Sequence, residues 1–160
     1  MITINKYILS VLVENHSGVL SKIASLFSRR GYNIHSLTVG ITEDPDTSRM
    51  TIVVSGDEQV FEQINKQLNK LIDVIKIIEL DSAKSVCREL ALIKVSMNQS
   101  NQSIITETVN IFRGKIVDVD TKSMIIEITG DEEKVSAFVD LMKPHGIKEI
   151  IRTGLTALER

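Results

Sequence analysis

Residues 14–20 have the types and the order that can hold an anion. Asn15 and Gly18 stand where an apolar run ends and a helical pattern begins at Val19. Free backbone N–H groups at a helix start carry partial positive charge, a glycine lets a ligand approach closely, and an asparagine amide both donates and accepts. An amino-acid carboxylate fits those demands. The same residues also fit an ordinary turn in which Asn15 or Ser17 caps the helix, and spacing alone leaves both interpretations open.

A second segment of interest, residues 31–34, opens the next predicted strand with Asn33 and Ile34. In the topology expected below, this strand start can lie beside the 14–20 loop of a neighbouring subunit instead of its own. The simpler interpretation makes Gly31 the stop signal of the preceding helix.

Motifs that carry catalytic or cofactor chemistry are missing from the sequence. There is no G-x-G-x-x-G, G-x-x-x-x-G-K-[ST], H-E-x-x-H, G-x-S-x-G or C-x-x-C pattern. His16, His35 and His145 are not spaced as a metal-binding pair on a helix. Cys87 is the single cysteine, so no internal disulfide or thiolate metal cluster can form. We therefore predict no catalytic residue, no metal site and no cofactor in this chain.

Composition argues against two classes of partner. The 19 Lys and Arg residues against 21 Asp and Glu leave no basic excess for binding phosphate backbones. Aromatic residues make up only 4% of the chain, and the predicted third strand offers none on which RNA bases could stack. No stretch approaches the roughly 18 apolar residues of a membrane span, and residues 1–6 lack the layout of a signal peptide. We expect a cytoplasmic protein that binds neither nucleic acid nor membranes.

The elements that must position the 14–20 loop follow from hydrophobic periodicity. In the first half of the chain, strand-like segments and helical stripes alternate in the order βαββαβ. The strand-like segments are 7–13, 34–41, 50–54 and 74–80, and the helical stripes are 19–27 and 60–71. Asp57 is placed to cap the second helix, and turn formers in 42–47 predict a hairpin.

The same order restarts in the second half. Its strand-like segments are 88–97, 115–119, 124–129 and 147–152, and its helical stripes are 103–112, ending at Gly114, and 135–142. The tripeptide Gly-Asp-Glu precedes the second helix of both halves, at 56–58 and 130–132. The sequence therefore predicts an α+β fold of two ferredoxin-like βαββαβ domains in tandem, over 1–81 and 86–160, joined by a linker.

The first predicted strand is apolar on both faces. Tyr7, Leu9 and their alternating neighbours form one face, while Ile8 and Leu12 make the opposite face half apolar. We expect something to cover that second face. Because domains of this size bury a modest fraction of their surface, we also expect a homodimer formed through a sheet edge or a helix.

These motifs together resemble those of the small regulatory subunits of acetolactate synthase, also called acetohydroxyacid synthase. The segments that carry the resemblance are 14–21, 27–34, 36–39 and 44–51, followed by 112–118 and 152–154. Residues 7–80 resemble an ACT domain, and the later segments are similar to the C-terminal domain of that family.

The resemblance implies a subunit without catalytic activity of its own. The family's large partner subunit carries thiamine diphosphate, magnesium and FAD and condenses pyruvate units. The small subunit activates that enzyme and confers feedback inhibition, usually by valine, with leucine and isoleucine as related effectors. By resemblance, the effector would lie between two ACT domains, where Asn15, Gly18 and Val19 of one chain face Asn33 and Ile34 of the other.

Some features depart from the family pattern, and other functions compete. His16 and His35 stand where the family often has an acidic residue. A free-standing ACT-domain amino-acid sensor without an enzyme partner is the main alternative, and the C-terminal resemblance argues against it. A small ferredoxin-like enzyme such as an acylphosphatase would need an arginine in the first loop, and residues 14–18 contain none.

Overall fold

A computed structural model describes residues 5–160 and divides the chain into two compact units. The first unit runs through Val86 and also includes Gly154–Arg160, and the second is Cys87–Thr153. Each unit has the order βαββαβ with antiparallel strand pairing. The predicted α+β fold of two ferredoxin-like units in tandem is confirmed.

The first unit has a four-stranded sheet in the order β2-β3-β1-β4. Its strands are β1 (Asn5–Glu14), β2 (Ile34–Ile41), β3 (Thr47–Gly56) and β4 (Val74–Leu80), and its helices are α1 (Val19–Arg29) and α2 (Glu58–Leu68). Alternate residues of β1, from Leu9 to Val13, are buried against the apolar faces of both helices.

The start of α2 and the end of α1 lie where their local sequences predict, whereas α2 ends at Leu68, before the last residue of the predicted 60–71 stripe. Asp57 caps α2, and its Oδ1 accepts a hydrogen bond from the Val60 N–H at 2.9 Å. Gly31 follows α1 with a φ of 68°, a left-handed conformation that glycine adopts without steric cost. The Tyr32 N–H then donates to the Phe27 carbonyl at 3.1 Å.

The second unit has a sheet in the order β6-β7-β5-β8. Its strands are β5 (Ser85–Ser96), β6 (Lys115–Val119), β7 (Ser123–Gly130) and β8 (Ile147–Arg152), and its helices are α3 (Gln102–Ile111) and α4 (Glu132–Met142). Phe138 is fully buried and meets Phe112 edge to face at 5.4 Å. The predicted helix stop at Gly114 needs a correction, because Arg113 takes the left-handed conformation, with a φ of 55°.

The C-terminal segment differs from the predicted domain division. A strand that the sequence pattern did not reveal, β9 (Thr156–Glu159), belongs with the first unit. The Thr38 Oγ1 donates to the Leu155 carbonyl at 3.0 Å, and Ala157 is only 5% exposed. The predicted second domain ran to residue 160, whereas the last seven residues, Gly154–Arg160, group with the first unit instead.

This segment lies on the face of the first sheet that points away from the helices. Ser10 and Thr51 are polar residues of that face, yet they are 1% and 2% exposed. The expectation that this face is covered is confirmed, and the cover is the chain's own C-terminal segment.

Helices long and apolar enough to cross a membrane are absent from the part of the chain that the structure describes.

Candidate functional site

The loop between β1 and α1 is tied to the turn between β2 and β3. The Asn15 N–H donates to the Asp46 carbonyl, and the Asn15 side-chain amide donates to the Pro45 carbonyl, both at 2.8 Å. Gly18 is the N-cap residue of α1, with a φ of 89° and no side-chain hydrogen bond to the helix. The interpretation in which Asn15 or Ser17 caps the helix is therefore wrong.

The start of α1 is open. Among the described residues, no partner accepts a hydrogen bond from the backbone N–H of Gly18, Val19 or Leu20. No atom lies within 4 Å of the position that a Cβ at Gly18 would occupy. Val19 is 3% exposed and fixes the helix to the core. This rigid helix start therefore presents unpaired N–H donors, and the positive end of a helix dipole, to open space.

A charged cluster lies against this loop, and Asp73 is its centre. Asp73 precedes β4, and the two oxygens of its carboxylate accept hydrogen bonds from different elements. Its Oδ1 lies 2.8 Å from His16 Nε2 in the loop, and its Oδ2 lies 2.7 Å from Lys22 Nζ in α1. Glu14 Oε2 is 3.3 Å from the same His16 nitrogen. The carboxylate thus joins the loop to the first turns of the helix.

The cluster shifts the pKa values of two of its members in opposite directions. The Ser17 backbone carbonyl, followed by the Asp73 carboxylate, raises the pKa of His16 above its ordinary value. The Lys22 ammonium, helped by His16, holds the pKa of Asp73 below its ordinary value, although burial acts the other way. Both shifts favour the charged forms, so the cluster is held by charge-assisted hydrogen bonds.

Glu14, His16 and Asp73 have donor atoms within 4.8 Å of one another, which is close enough to share a metal ion. As they stand, His16 Nε2 and Asp73 Oδ1 are at hydrogen-bond distance, and the Lys22 ammonium donates to the other oxygen of Asp73. The contacts therefore describe an ion-pair network. Sequence reasoning missed Asp73, because it lies 57 positions from His16 and no motif marks it.

The other two predicted site residues lie at the opposite end of the sheet. Ile34 pairs with Val54, which in turn pairs with Tyr7, whereas the loop follows Glu14 at the other end of β1. Seven residues of strand separate the two levels, which is roughly 23 Å at about 3.3 Å per residue. Within one chain the structure brings Asn15, Gly18 and Val19 together. Exposed Asn33 and half-buried Ile34 are not brought to them.

His35 and Cys87, which also carry reactive side chains, do not belong to this site. His35 Nε2 lies 2.6 Å from Ser55 Oγ at the distant end of the sheet. Cys87 is half-buried, and burial raises the pKa of its thiol, which opposes the nucleophilic thiolate form.

Comparison with known proteins identifies the family. The model of the AHAS small subunit-like ACT domain matches residues 9–76, and the model of the small subunit of acetolactate synthase matches residues 88–160. A probable acetolactate synthase small subunit from Archaeoglobus fulgidus is 58% identical over 155 residues, covering 97% of both chains. The chain belongs to the acetolactate synthase small-subunit family.

Other members of the small-subunit family agree. The acetolactate synthase small subunit of Mycolicibacterium smegmatis is 55% identical over 152 residues, which cover 95% of this chain and 89% of that relative. The crystal structure of the small subunit from Thermotoga maritima superimposes with a TM-score of 0.90 at 47% identity, covering 98% of both chains. The predicted resemblance is confirmed. The 88–160 match also includes β9, which packs with the first unit.

Proposed function

We propose that this chain is the regulatory subunit of acetolactate synthase. It binds the large catalytic subunit, activates it, and makes it sensitive to feedback inhibition by a branched-chain amino acid, with valine as the first candidate. Membership of the small-subunit family supports the partnership. The observation that carries the effector site is the open start of α1 at Gly18, where backbone donors have no capping side chain.

The effector's carboxylate binds at this helix start. The N–H groups of Gly18 and Val19 donate to it, and the absence of a side chain at Gly18 leaves room for close approach. Asn15 holds the loop in this conformation through its two hydrogen bonds to the neighbouring turn. A preformed site of this kind loses little conformational entropy when the ligand binds.

The rest of the effector is bound by a second copy of the chain. Asn33 and Ile34 lie too far from Gly18 to reach the same ligand within one chain. In a homodimer, the Asn33 amide oxygen can accept from the effector's ammonium group, and Ile34 can contact its branched side chain. Exposed apolar residues on the edge strand β2, Val39 at 46% and Ile41 at 66%, support association through that edge.

The chemistry of the reaction resides in the partner subunit. We assign thiamine diphosphate, magnesium and FAD, together with the residues that bind them, to the catalytic subunit. The small subunit acts instead by differential binding: valine inhibits if it binds the less active state of the complex more tightly than the active state.

Reconstitution tests this function. The full-length chain is mixed with the acetolactate synthase large subunit of the same organism, and acetolactate formation from pyruvate is measured with and without valine. We expect higher turnover with the small subunit than without it, and a valine-dependent loss of that gain. Light scattering of the isolated chain should give at least a dimer. A chain that binds valine without joining the catalytic subunit would be a free-standing sensor, and this outcome would contradict the proposal.

A further inference from the structure

The Asp73 cluster consists of Glu14, His16, Lys22 and Asp73. Its contacts hold the effector loop, residues 14–20, from outside the proposed ligand site. Asp73 is 7% exposed, whereas the side chains of His16 and Lys22 are 48% and 56% exposed. A nearly buried carboxylate therefore holds two solvent-facing side chains. The Glu14 N–H also donates to the Asp73 carbonyl at 2.9 Å, which fixes the backbone on which the carboxylate stands.

The two ring nitrogens of His16 both face acceptors. Nε2 lies 2.8 Å from the Asp73 carboxylate, and Nδ1 lies 3.1 Å from the Ser17 carbonyl oxygen. A neutral imidazole carries one N–H and can satisfy only one of these acceptors, whereas an imidazolium carries two and satisfies both. The geometry therefore fits the protonated ring, and loss of the proton breaks one of the two contacts.

Either contact is made by His16, which lies within the effector loop. His16 is next to Asn15 and Ser17 and two residues before Gly18, whose N–H is a proposed donor to the effector. We propose that Asp73 is a positioning residue that holds the effector loop through His16 and Lys22, so that valine binds more tightly when His16 carries a proton. This inference rests on the effector site proposed above and adds a proton-linked control to it.

The two carboxylates around His16 act in one direction. Glu14 from β1 and Asp73 from the segment before β4 both stabilise the imidazolium, and the Lys22 ammonium from α1 is directed to the other oxygen of Asp73. The pKa of His16 is raised from 6.5, so the stability gained from its ion pair is complete below about pH 6.5 and is lost as pH rises through the folded-state pKa. The pKa of Asp73 is lowered from 3.8, so its contribution is present above that pH and is lost only in stronger acid.

Valine titration calorimetry on the full-length chain tests the inference at about pH 6 and about pH 8.5, at constant ionic strength. We expect the valine Kd of the unmodified chain to rise about threefold or more between these pH values. His16→Gln should bind weakly at both, because glutamine is neutral throughout. His16→Arg should remove the pH dependence while keeping a permanent charge opposite Asp73. A flat profile in the unmodified chain, or an unchanged profile in His16→Gln, would overturn the inference.

The other two histidines, His35 and His145, are the matched controls, because they are the same residue type at other places in the chain. His145→Gln, in the second unit, should keep the full pH dependence. If the pH dependence is lost in His35→Gln and kept in His16→Gln, the proton acts at the other half of the site and the inference fails.

Hydrogen exchange of the valine-free chain separates this inference from the proposed function. After correction for intrinsic rates, protection of the loop amides should decrease between about pH 6 and about pH 8.5, and Asp73→Asn should abolish that decrease. Thermal melting of Asp73→Asn shows whether the chain remains folded. Lys22→Gln is a second variant, at a more exposed side chain, that weakens the contact between Lys22 and Asp73. Unchanged loop protection would refute the positioning role of Asp73. Absent valine binding with an intact pH response of the loop would refute only the effector site.

Discussion

The loops that precede the first helix of each unit have the same place in the topology but form different side-chain hydrogen bonds. Before α3, the Asn98 side chain accepts from the Ser100 N–H and the Asn101 N–H at 2.9 and 3.0 Å, and the Asn101 side chain accepts from the Asn98 N–H at 2.8 Å. Before α1, Gly18 offers no side chain at all. The side chains of one loop pair with that loop's own N–H groups, whereas Gly18 has no side chain to do so. Neither Gly18 nor Asn101, the N-cap residue of α3, makes a side-chain hydrogen bond to its helix.

This difference shows that the βαββαβ topology does not by itself create an effector site. The helix N-terminus is present in both units, and so are its dipole and its unpaired N–H groups. Asparagine side chains occupy the loop of the second unit, where they form local turns with the backbone. A glycine with a left-handed φ replaces them in the first unit, and Asp73 stabilises that loop from another element. Under the proposed function, the loop side chains, and not the topology, distinguish the unit that binds the effector.

The largest expected effect tests the similarity of the two cores. Phe27 and Phe138 are 1% and 0% exposed, so truncation to alanine in either unit should reduce the free energy of unfolding by about 3 to 5 kcal/mol. Urea denaturation followed by circular dichroism measures the loss. Phe27→Ala should also abolish valine binding, whereas Phe138→Ala should retain it wherever the first unit remains folded. Equal loss of valine binding in both variants would show that the units are not separable in function.

A smaller effect tests the cover on the outer face of the first sheet. Ala157→Asp places a carboxylate at a 5% exposed position and should destabilise the chain by about 2 kcal/mol. Leu158→Asp is the matched control, because Leu158, the next residue, is 63% exposed and should tolerate the charge. Thermal unfolding compares the two. Similar melting temperatures would mean that β9 is not held on the sheet in solution.

The smallest effect tests the open loop directly. Gly18→Asp places a negative charge where the effector carboxylate is proposed to bind, so valine Kd should rise about tenfold relative to Gly18→Asn. Both variants bear the same strain at a φ of 89°, and asparagine is among the residues that best tolerate it. Ser100→Asp, in the corresponding loop of the second unit, should leave valine binding unchanged. Equal affinities for the Asp and Asn variants would place the effector carboxylate elsewhere.

Much of the fold could be predicted because its signals are local. Helix and strand periodicity, the Asp57 cap and the Gly31 stop each depend on residues within a few positions of one another, and the structure confirms them. The left-handed residue that ends α3 is Arg113 and not the predicted Gly114. The Gly114 N–H donates to the Val109 carbonyl at 2.8 Å, and this bond accommodates the left-handed residue one position earlier. Such boundaries depend on hydrogen bonds that residue type does not specify.

By itself, the sequence determined the two βαββαβ units, the family, and the glycine at the start of α1, because these depend on short-range patterns. Only the tertiary structure decided that β9 returns to the first unit, that Asp73 meets His16 across 57 positions, and that Asn33 and Ile34 lie at the far end of the sheet from Gly18. The contact between Thr38 and Leu155 spans 117 positions, and no local periodicity records such a pairing. Long-range contacts form where apolar faces become buried and polar groups become paired. Many segments of similar composition could make such a contact, so the sequence alone does not specify which one does.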